Sequence, residues 1–219
     1  MLVYAVMPGG RYVPIEESLR LVPEGKRGFY INLTNQCNLQ CTFCLRHLKE
    51  MAKESSLWLE KEGTAKEIKA AIATIPFAYA SEIVVCGFGE PTLRLDDLIE
   101  ILRYIRKIQP TIPTRLNTNG LANVEYGRDI TPLFEGLLDT ISISLNSPDA
   151  KEYAEITQSP YGIKSQAELL DFAQKCKAYI PNVVLTVVDQ VMSPEQIAKA
   201  RELVEGYGLT LRVRPYEDN

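Results

Sequence analysis

Phe29-Tyr30-Ile31-Asn32-Leu33-Thr34-Asn35-Gln36-Cys37-Asn38-Leu39-Gln40-Cys41-Thr42-Phe43-Cys44 is a strand-like run that ends in three cysteines spaced C-x3-C-x2-C. Three thiolates are one short of the four that close an iron–sulfur cube. A cube on three ligands leaves one iron open to bind and activate a small molecule, so the spacing points to catalysis rather than electron storage. Zinc is the main alternative. A structural zinc site takes four ligands, commonly as two paired motifs, and Cys86, Cys176 and His47 form no second pair. His47 stays open as a fourth ligand but reads better as part of the segment leaving the site. A disulfide framework does not suit five cysteines in a 219-residue chain without a signal-peptide pattern.

Downstream of this run, strand-like and helix-like segments alternate. The strand candidates are Gly28–Thr34, Glu82–Gly87, Thr114–Thr118, Asp139–Leu145, Asn182–Val188 and Leu209–Pro215. Amphipathic segments such as Thr64–Ile75, Leu95–Ile108, Ser165–Tyr179 and Pro194–Tyr207 lie between them. Thr64 with Glu67, and Ser165 with Glu168, have capping-box spacing. Such alternation implies parallel strands joined by crossover helices. Six units fall short of the eight of a closed barrel. The expected fold is therefore α/β: an open, partial (β/α)6 barrel of parallel strands. A short N-terminal hairpin precedes it, Leu2 to Val6 and Tyr12 to Ile15 about a Pro8-Gly9-Gly10 turn. No linker, repeat or low-complexity stretch interrupts the chain. One domain over residues 1–219 is expected, with 1–27 as the hairpin extension and 28–219 as the barrel.

Parallel strands buried on both faces usually read as continuous apolar runs. Three of these alternate instead: Arg115-Leu116-Asn117-Thr118-Asn119, Thr140-Ile141-Ser142-Ile143-Ser144-Leu145-Asn146 and Thr210-Leu211-Arg212-Val213-Arg214. Side chains alternate faces along a strand, so the polar set is expected to face inward. A polar interior is costly unless partners, water or ligand satisfy it. The pattern predicts a cavity for a polar ligand at the carboxyl ends of the strands; a structural hydrogen-bond network is the plainer reading.

Net charge is −4, which does not favour broad phosphate binding, and no direct nucleic-acid partner is expected. No apolar run approaches the ~18 residues of a membrane span, so no membrane partner is expected either. Free thiols ready for a cluster need a reducing compartment, and a cytoplasmic location is expected.

The aromatic Phe43 just before the last cysteine, and Gly87-Phe88-Gly89-Glu90-Pro91 after Ile83-Val84-Val85-Cys86, resemble the two signatures of the radical S-adenosylmethionine (SAM) superfamily. Those signatures are C-x3-C-x-aromatic-C and a G-G-E-P loop, with Phe88 standing where glycine is common. Within the superfamily the chain resembles the TatD-linked group. The residues that carry this are Tyr30 to Cys37, Leu57-Trp58-Leu59-Glu60 and Cys86 to Pro91. Queuine lyase, which salvages a modified tRNA base, is similar to that group.

The resemblance implies a [4Fe–4S] cluster on Cys37, Cys41 and Cys44, with SAM on the open iron. It further implies reductive cleavage of SAM to a 5′-deoxyadenosyl radical that takes a hydrogen atom from the substrate, and an electron donor such as flavodoxin or ferredoxin. Gly87, Phe88, Gly89 and Glu90 are expected at the methionine end of SAM, where glycines allow close backbone approach, with Pro91 fixing the turn. Phe43 is expected at the adenine through its carbonyl, and Asn119, Ser144 and Asn146 at the methionine and ribose. Val187 is expected to line the adenine pocket. Tyr30, Asn32, Asn117 and Arg214 are the candidate substrate contacts; for Arg214 an ion pair with a nearby carboxylate is the plainer reading. Cys86 and Cys176 read as packing residues. Trp58 reads as a cavity wall or as a staple for the cysteine loop.

The resulting expectation is an enzyme acting on a small polar molecule, with a carbon–nitrogen lyase acting on queuine or a related 7-deazaguanine as the specific reading. An activating enzyme for a glycyl-radical protein, and a non-catalytic iron–sulfur or zinc module, are the alternatives.

Overall fold

The computed structural model describes residues 1–7, 10–48, 56–189 and 191–215. Its elements in chain order are β1 (Val3–Met7), β2 (Arg11–Val13), α1 (Ile15–Leu21), β3 (Arg27–Ile31), α2 (Leu45–Leu48), α3 (Ala65–Ala73), β4 (Ala80–Val85), α4 (Leu95–Ile108), β5 (Thr114–Thr118), α5 (Ala122–Tyr126), β6 (Thr140–Ser144), α6 (Ala150–Thr157), α7 (Ser165–Cys176), β7 (Asn182–Val188), α8 (Pro194–Gly206) and β8 (Thr210–Arg214). The class is the expected one: α/β, with a mostly parallel sheet that does not close. Pro8 and Gly9 of the expected hairpin turn lie outside the described residues, as does the side chain of His47.

The chain forms two compact units. Among the described residues, one comprises those up to 37 and 56–116, the other 38–48 and 117–215; the boundary falls inside β5. In the first unit β1 pairs antiparallel with β2 and with β3, placing Tyr4 opposite Tyr30. β3, β4 and β5 then run parallel, with Ile31 beside Val85 and Val84 beside Arg115. Behind them pack α3 and α4. The capping box on α3 forms as its spacing predicts: Thr64 Oγ1 accepts from the Glu67 N–H, and the Glu67 carboxylate accepts from the Thr64 N–H. Ile68 and Ile72, one turn apart, are fully buried. α4 buries Leu98, Ile101, Leu102 and Ile105, the i, i+3, i+4, i+7 stripe of an amphipathic helix. Asp96 and Asp97 in its first turn and Arg106 and Lys107 in its last complement the helix dipole.

In the second unit β6, β7 and β8 run parallel, with Ser142 beside Val184 and Val188 beside Arg214. Fully buried Ile141, Ile143, Leu145, Phe172 and Leu185 form its centre, and α7 packs against β6 and β7. The alternating polar–apolar pattern is blurred in β6, where Ser142 is buried along with Ile141 and Ile143. In β8 it fails: Leu211 and Val213 are only half-buried and Arg212 is exposed.

Two expectations need correction. The segment after β2 is helical from Ile15, where Pro14 supplies the extended N-cap residue and Glu16 and Glu17 fill the first turn. Ser165 does not cap α7. It is the first helical residue, and its buried hydroxyl bonds to Ser159 Oγ and the Gly162 carbonyl. The capping box that does form in this unit joins Ser193 and Gln196 on α8.

Candidate active site

Unit one contributes a three-stranded seam that leads into Cys37. Residues 31–36 are zipped on one side to the glycine loop. The Cys86 N–H donates to the Ile31 carbonyl (3.0 Å), the Gly89 N–H to the Thr34 carbonyl (3.0 Å) and the Glu90 N–H to the Gln36 carbonyl (2.7 Å). On the other side they meet residues 57–62. Asn32 Nδ2 donates to the Leu57 carbonyl (2.5 Å). The Asn35 amide pairs with both backbone groups of Leu59, donating at 2.7 Å and accepting at 3.0 Å. Glu62 Oε1 accepts from Thr34 Oγ1 (2.6 Å) and the Asn35 N–H (2.8 Å). Arg94 donates to the Leu33 carbonyl (2.6 Å) and forks onto Asp97.

This packing assigns the glycines a role the sequence did not show. A Cβ at Gly89 would stand 2.4 Å from the carbonyl oxygens of both Gln36 and Thr34, and one at Gly87 would stand 2.1 Å from Asn32 Oδ1. Both glycines therefore admit a neighbouring stretch of this chain. Phe88 is half-buried. Glu90 is buried, and its Oε1 accepts from the Thr92 N–H (3.1 Å) and hydroxyl (2.7 Å), capping a 3-10 turn over Pro91–Arg94. Pro91 occupies the first turn of that segment, which suits its fixed φ.

Two expected substrate contacts lie in unit one, Asn32 enclosed and Tyr30 half-buried. Asn32 is fully buried; its Oδ1 has no hydrogen-bond partner among the described residues and faces Gly87. Tyr30 stacks on Tyr4 with ring centroids 5.4 Å apart, and its hydroxyl accepts from Arg115 (3.3 Å). Burial raises the Tyr30 phenol above its ordinary range. Arg115 forks onto Glu82 at 3.0 and 2.8 Å. Burial works against its charge, but the Glu82 bonds win and hold the guanidinium protonated. Trp58 is 54% exposed, while its neighbours Leu57 and Leu59 are buried. Cys86 lies just past β4 and is half-buried rather than core, its carbonyl accepting from the Tyr4 hydroxyl (3.1 Å).

Unit two carries the rest of the cysteine loop. The Gln40 N–H donates to the Thr157 carbonyl (3.0 Å) and the Thr42 N–H to the Ile156 carbonyl (2.9 Å), so the loop lies on the last turn of α6. Leu39 is buried beneath it, Phe43 is half-buried, and the Cys44 N–H closes a turn onto the Cys41 carbonyl (3.1 Å). Asn38 is the polar hub. Its Nδ2 donates to Glu125 Oε2 (2.8 Å) and its Oδ1 accepts from Asn119 Nδ2 (2.7 Å). Asn119 Oδ1 accepts in turn from the Leu121 N–H (3.0 Å).

Of the remaining candidates, Asn117 and Ser144 are half-buried, Asn146 is 7% exposed and Val187 is fully buried. Asn146 adopts a left-handed φ of 59°, which asparagine tolerates better than most residues. It is followed by a pinned turn, in which the Ser147 carbonyl accepts from Gln166 (2.8 Å) and the Ser147 hydroxyl donates to Glu152 (2.5 Å). Arg214 is half-buried, with a buried Nε that has no hydrogen-bond partner among the described residues. The fully buried Cys176 thiol is pushed well above the ordinary range by burial, which makes it inert packing. Sequence reading missed Asn35, Asn38, Glu62, Glu125 and Tyr161. Only Asn35 and Asn38 carried a signal, through their place beside Cys37.

The family model described as the Radical SAM superfamily matches residues 31–204. The chain belongs to the radical SAM superfamily. Curated relatives of this radical SAM chain include the GTP 3′,8-cyclase of Paenarthrobacter nicotinovorans, 31% identical over 134 residues, which are 60% of this chain and 35% of that protein. The GTP 3′,8-cyclase of Aquifex aeolicus is 26% identical over 191 residues, 86% of this chain and 56% of that protein. The chain thus spans roughly a third to just over half of the length of these relatives. Among solved structures, Streptococcus suis SuiB bound to S-adenosylmethionine superposes with a TM-score of 0.61 at 18% identity, covering 94% of this chain and 44% of SuiB. A radical SAM methyltransferase from Sphaerobacter thermophilus gives 0.59 at 16% identity, covering 87% and 66%. At such identity these structures show the fold alone. These curated relatives carry the name GTP 3′,8-cyclase, and the TatD-linked subgroup is not confirmed by them.

Radical SAM proteins use a [4Fe–4S] cluster and S-adenosylmethionine. The donor chemistry of the cysteine run fits a cluster: Cys37, Cys41 and Cys44 are three cysteine sulfurs, each partly exposed, within one short stretch of chain. Among the described residues, no three Cys, His, Asp or Glu side chains are already gathered as a ligand set for a metal ion. No helix among the described residues is long and apolar enough to cross a membrane.

Proposed function

We propose that this chain is a radical SAM enzyme that takes a hydrogen atom from a small polar substrate bearing a guanine-type base. The observation that carries the reading is the seam at residues 31–36, clamped between the glycine loop and residues 57–62 and leading directly into Cys37. Cys37, Cys41 and Cys44 would hold the cluster. A cluster held there and reduced by an external one-electron donor would pass one electron to the sulfonium of S-adenosylmethionine, whose bond from sulfur to the ribose carbon would break to give methionine and a 5′-deoxyadenosyl radical.

The chain's own residues do the rest. Gly87 to Glu90 set the backbone course past the cofactor, with Glu90 held rigid by Thr92. Asn119, Ser144 and Asn146 offer amide and hydroxyl groups to the methionine and ribose, Phe43 its carbonyl to the adenine, and Val187 the apolar backing. Asn117 and Arg214, both partly exposed, are assigned to the substrate. Half-buried Tyr30 is assigned to the substrate with them, and Asn32, fully buried in unit one, would reach the substrate only through its surroundings.

Two guanine-type substrates are favoured by different observations. The resemblance of the chain to the TatD-linked group favours queuine or another 7-deazaguanine and a lyase reaction. The names of the curated relatives favour GTP and a cyclisation. Both rings present a carbonyl-and-amine edge that asparagine amides satisfy. The test is anaerobic reconstitution, reduction, and 5′-deoxyadenosine assay with GTP, queuine and simple 7-deazaguanines. Substrate-dependent 5′-deoxyadenosine with either class supports the reading, and the products decide between lyase and cyclase. No cleavage of S-adenosylmethionine under any reductant would leave a non-catalytic iron–sulfur module. Formation of a glycyl radical on a partner protein would replace the reading with an activating enzyme.

A further inference from the structure

Glu125 and Tyr161 stand far from the cysteines in sequence, and no motif includes them. In unit two the Tyr161 hydroxyl donates to Glu125 Oε2, the same oxygen that accepts from Asn38 Nδ2. Asn38 follows Cys37 directly in the chain. A carboxylate only accepts, so it fixes which end of the Asn38 amide is the donor. That leaves Asn38 Oδ1 as an acceptor, and it takes the Nδ2 proton of Asn119 (2.7 Å). The order is directional throughout: Tyr161 and Asn38 donate to Glu125, Asn119 donates to Asn38, and the Leu121 N–H donates to Asn119.

We propose that Glu125 and Tyr161 are a positioning pair. They act through Asn38 to set the first turn of the cysteine loop and the orientation of the Asn119 amide toward S-adenosylmethionine. The proposal deepens the reading above and rests on it, because Asn119 is there assigned to the cofactor and the loop to the cluster. A carboxylate is not required for charge. Glutamine at 125 keeps an oxygen that can accept both bonds, whereas alanine frees Asn38 to turn over and misalign Asn119.

The experiment compares the full-length wild type with Glu125→Gln, Glu125→Ala, Tyr161→Phe, Asn38→Ala and the double variant Asn38→Ala/Glu125→Ala. The first readout needs no cofactor: solvent exchange of the Asn38 side-chain amide protons, by NMR of the apo chain. We expect slowed exchange in the wild type and Glu125→Gln, and fast exchange in Glu125→Ala. The second uses the reconstituted proteins: iron content, S-adenosylmethionine affinity, and the change that S-adenosylmethionine makes in the electron paramagnetic resonance spectrum of the reduced cluster. We expect full iron in Glu125→Ala and Tyr161→Phe, affinity about fivefold weaker, and a diminished spectral change. Glu125→Gln should restore both, and the double variant should be no worse than Asn38→Ala alone. An Asn38 amide that exchanges like a free amide in the wild type overturns the pair while leaving the cluster reading intact. So do losses that add in the double variant, or a normal spectral response in both Glu125→Ala and Tyr161→Phe. A wild type that holds no cluster overturns the reading above, and with it the pair's role toward the cofactor.

Discussion

Asn32 and Gly87 are matched across the first parallel strand pair: a Cβ at 87 would lie 2.1 Å from Asn32 Oδ1 and 2.5 Å from its Cγ. Asn32 cannot swing away freely, because it is fully buried and its Nδ2 is bonded to the Leu57 carbonyl at 2.5 Å. Gly87→Ala should therefore destabilise the protein by about 1–3 kcal/mol, read as a lower denaturant midpoint. Removing the obstacle with Asn32→Ala in the same chain should recover part of the loss. Gly89→Ala should behave differently, since its Cβ would meet backbone carbonyls at 2.4 Å that no side-chain change relieves. Equal stability of Gly87→Ala and the wild type would show that the strand end is free to yield.

Changing Cys37, Cys41 or Cys44 to Ala should abolish the cluster, whereas Cys86→Ala and Cys176→Ala should retain it. Cys176 is fully buried at the end of α7, and its loss should cost about 1–2 kcal/mol through the cavity left behind. Cys86 is half-buried, and alanine keeps its backbone bonds to Tyr4 and Ile31. Its substitution should cost less than Cys176→Ala. Iron and sulfide analysis after anaerobic reconstitution checks the assignment; iron lost from Cys86→Ala would mean that the ligand set is wrong.

The strands were legible because apolar, β-branched runs bounded by turn residues are strong local signals. β5 and β7 have the expected limits, and α3 is capped by the pair that the spacing named. The helix after Pro14 was not legible, because Tyr12-Val13-Pro14-Ile15 reads locally as more strand. Period-two alternation placed Tyr30 and Asn32 on one side of β3, but it cannot tell whether that side leaves room for a ligand. Leu57, Gly87, Tyr4 and Arg115 fill the space around them. The Glu125–Tyr161 contact spans 36 residues and follows no periodicity, so only the tertiary fold reveals it.

The Arg115–Glu82 fork ties β5 to β4 beneath Tyr30, with the two side chains 14% and 32% exposed. Removing one partner leaves a charge poorly solvated, while removing both does not. Glu82→Gln alone should lower stability by about 1–3 kcal/mol, reduced from the fully buried case because water reaches Glu82. The double variant Arg115→Met/Glu82→Leu should cost less than the sum of the single changes. Strict additivity in a double-mutant cycle, by denaturant unfolding, would mean that the fork contributes nothing beyond its separate parts.

Tyr161 gives the chain an alkaline pH signature. Burial first, and then its bond to Glu125, push the phenol up to about 12, from an ordinary value near 10. A phenol raised in the folded state binds its proton more tightly there than in the unfolded chain. Its contribution to stability is complete below about pH 10 and is lost as pH rises from there through about 12. Tyrosinate absorbance should therefore lose a late-titrating group in Tyr161→Phe, while the raised phenol of Tyr30 stays in both proteins. In Glu125→Gln the late step should move down without reaching the ordinary value, because burial, the larger cause, remains. If Tyr161→Phe instead removes a group that titrates near pH 10, the phenol is neither buried nor bonded in solution as the structure has it.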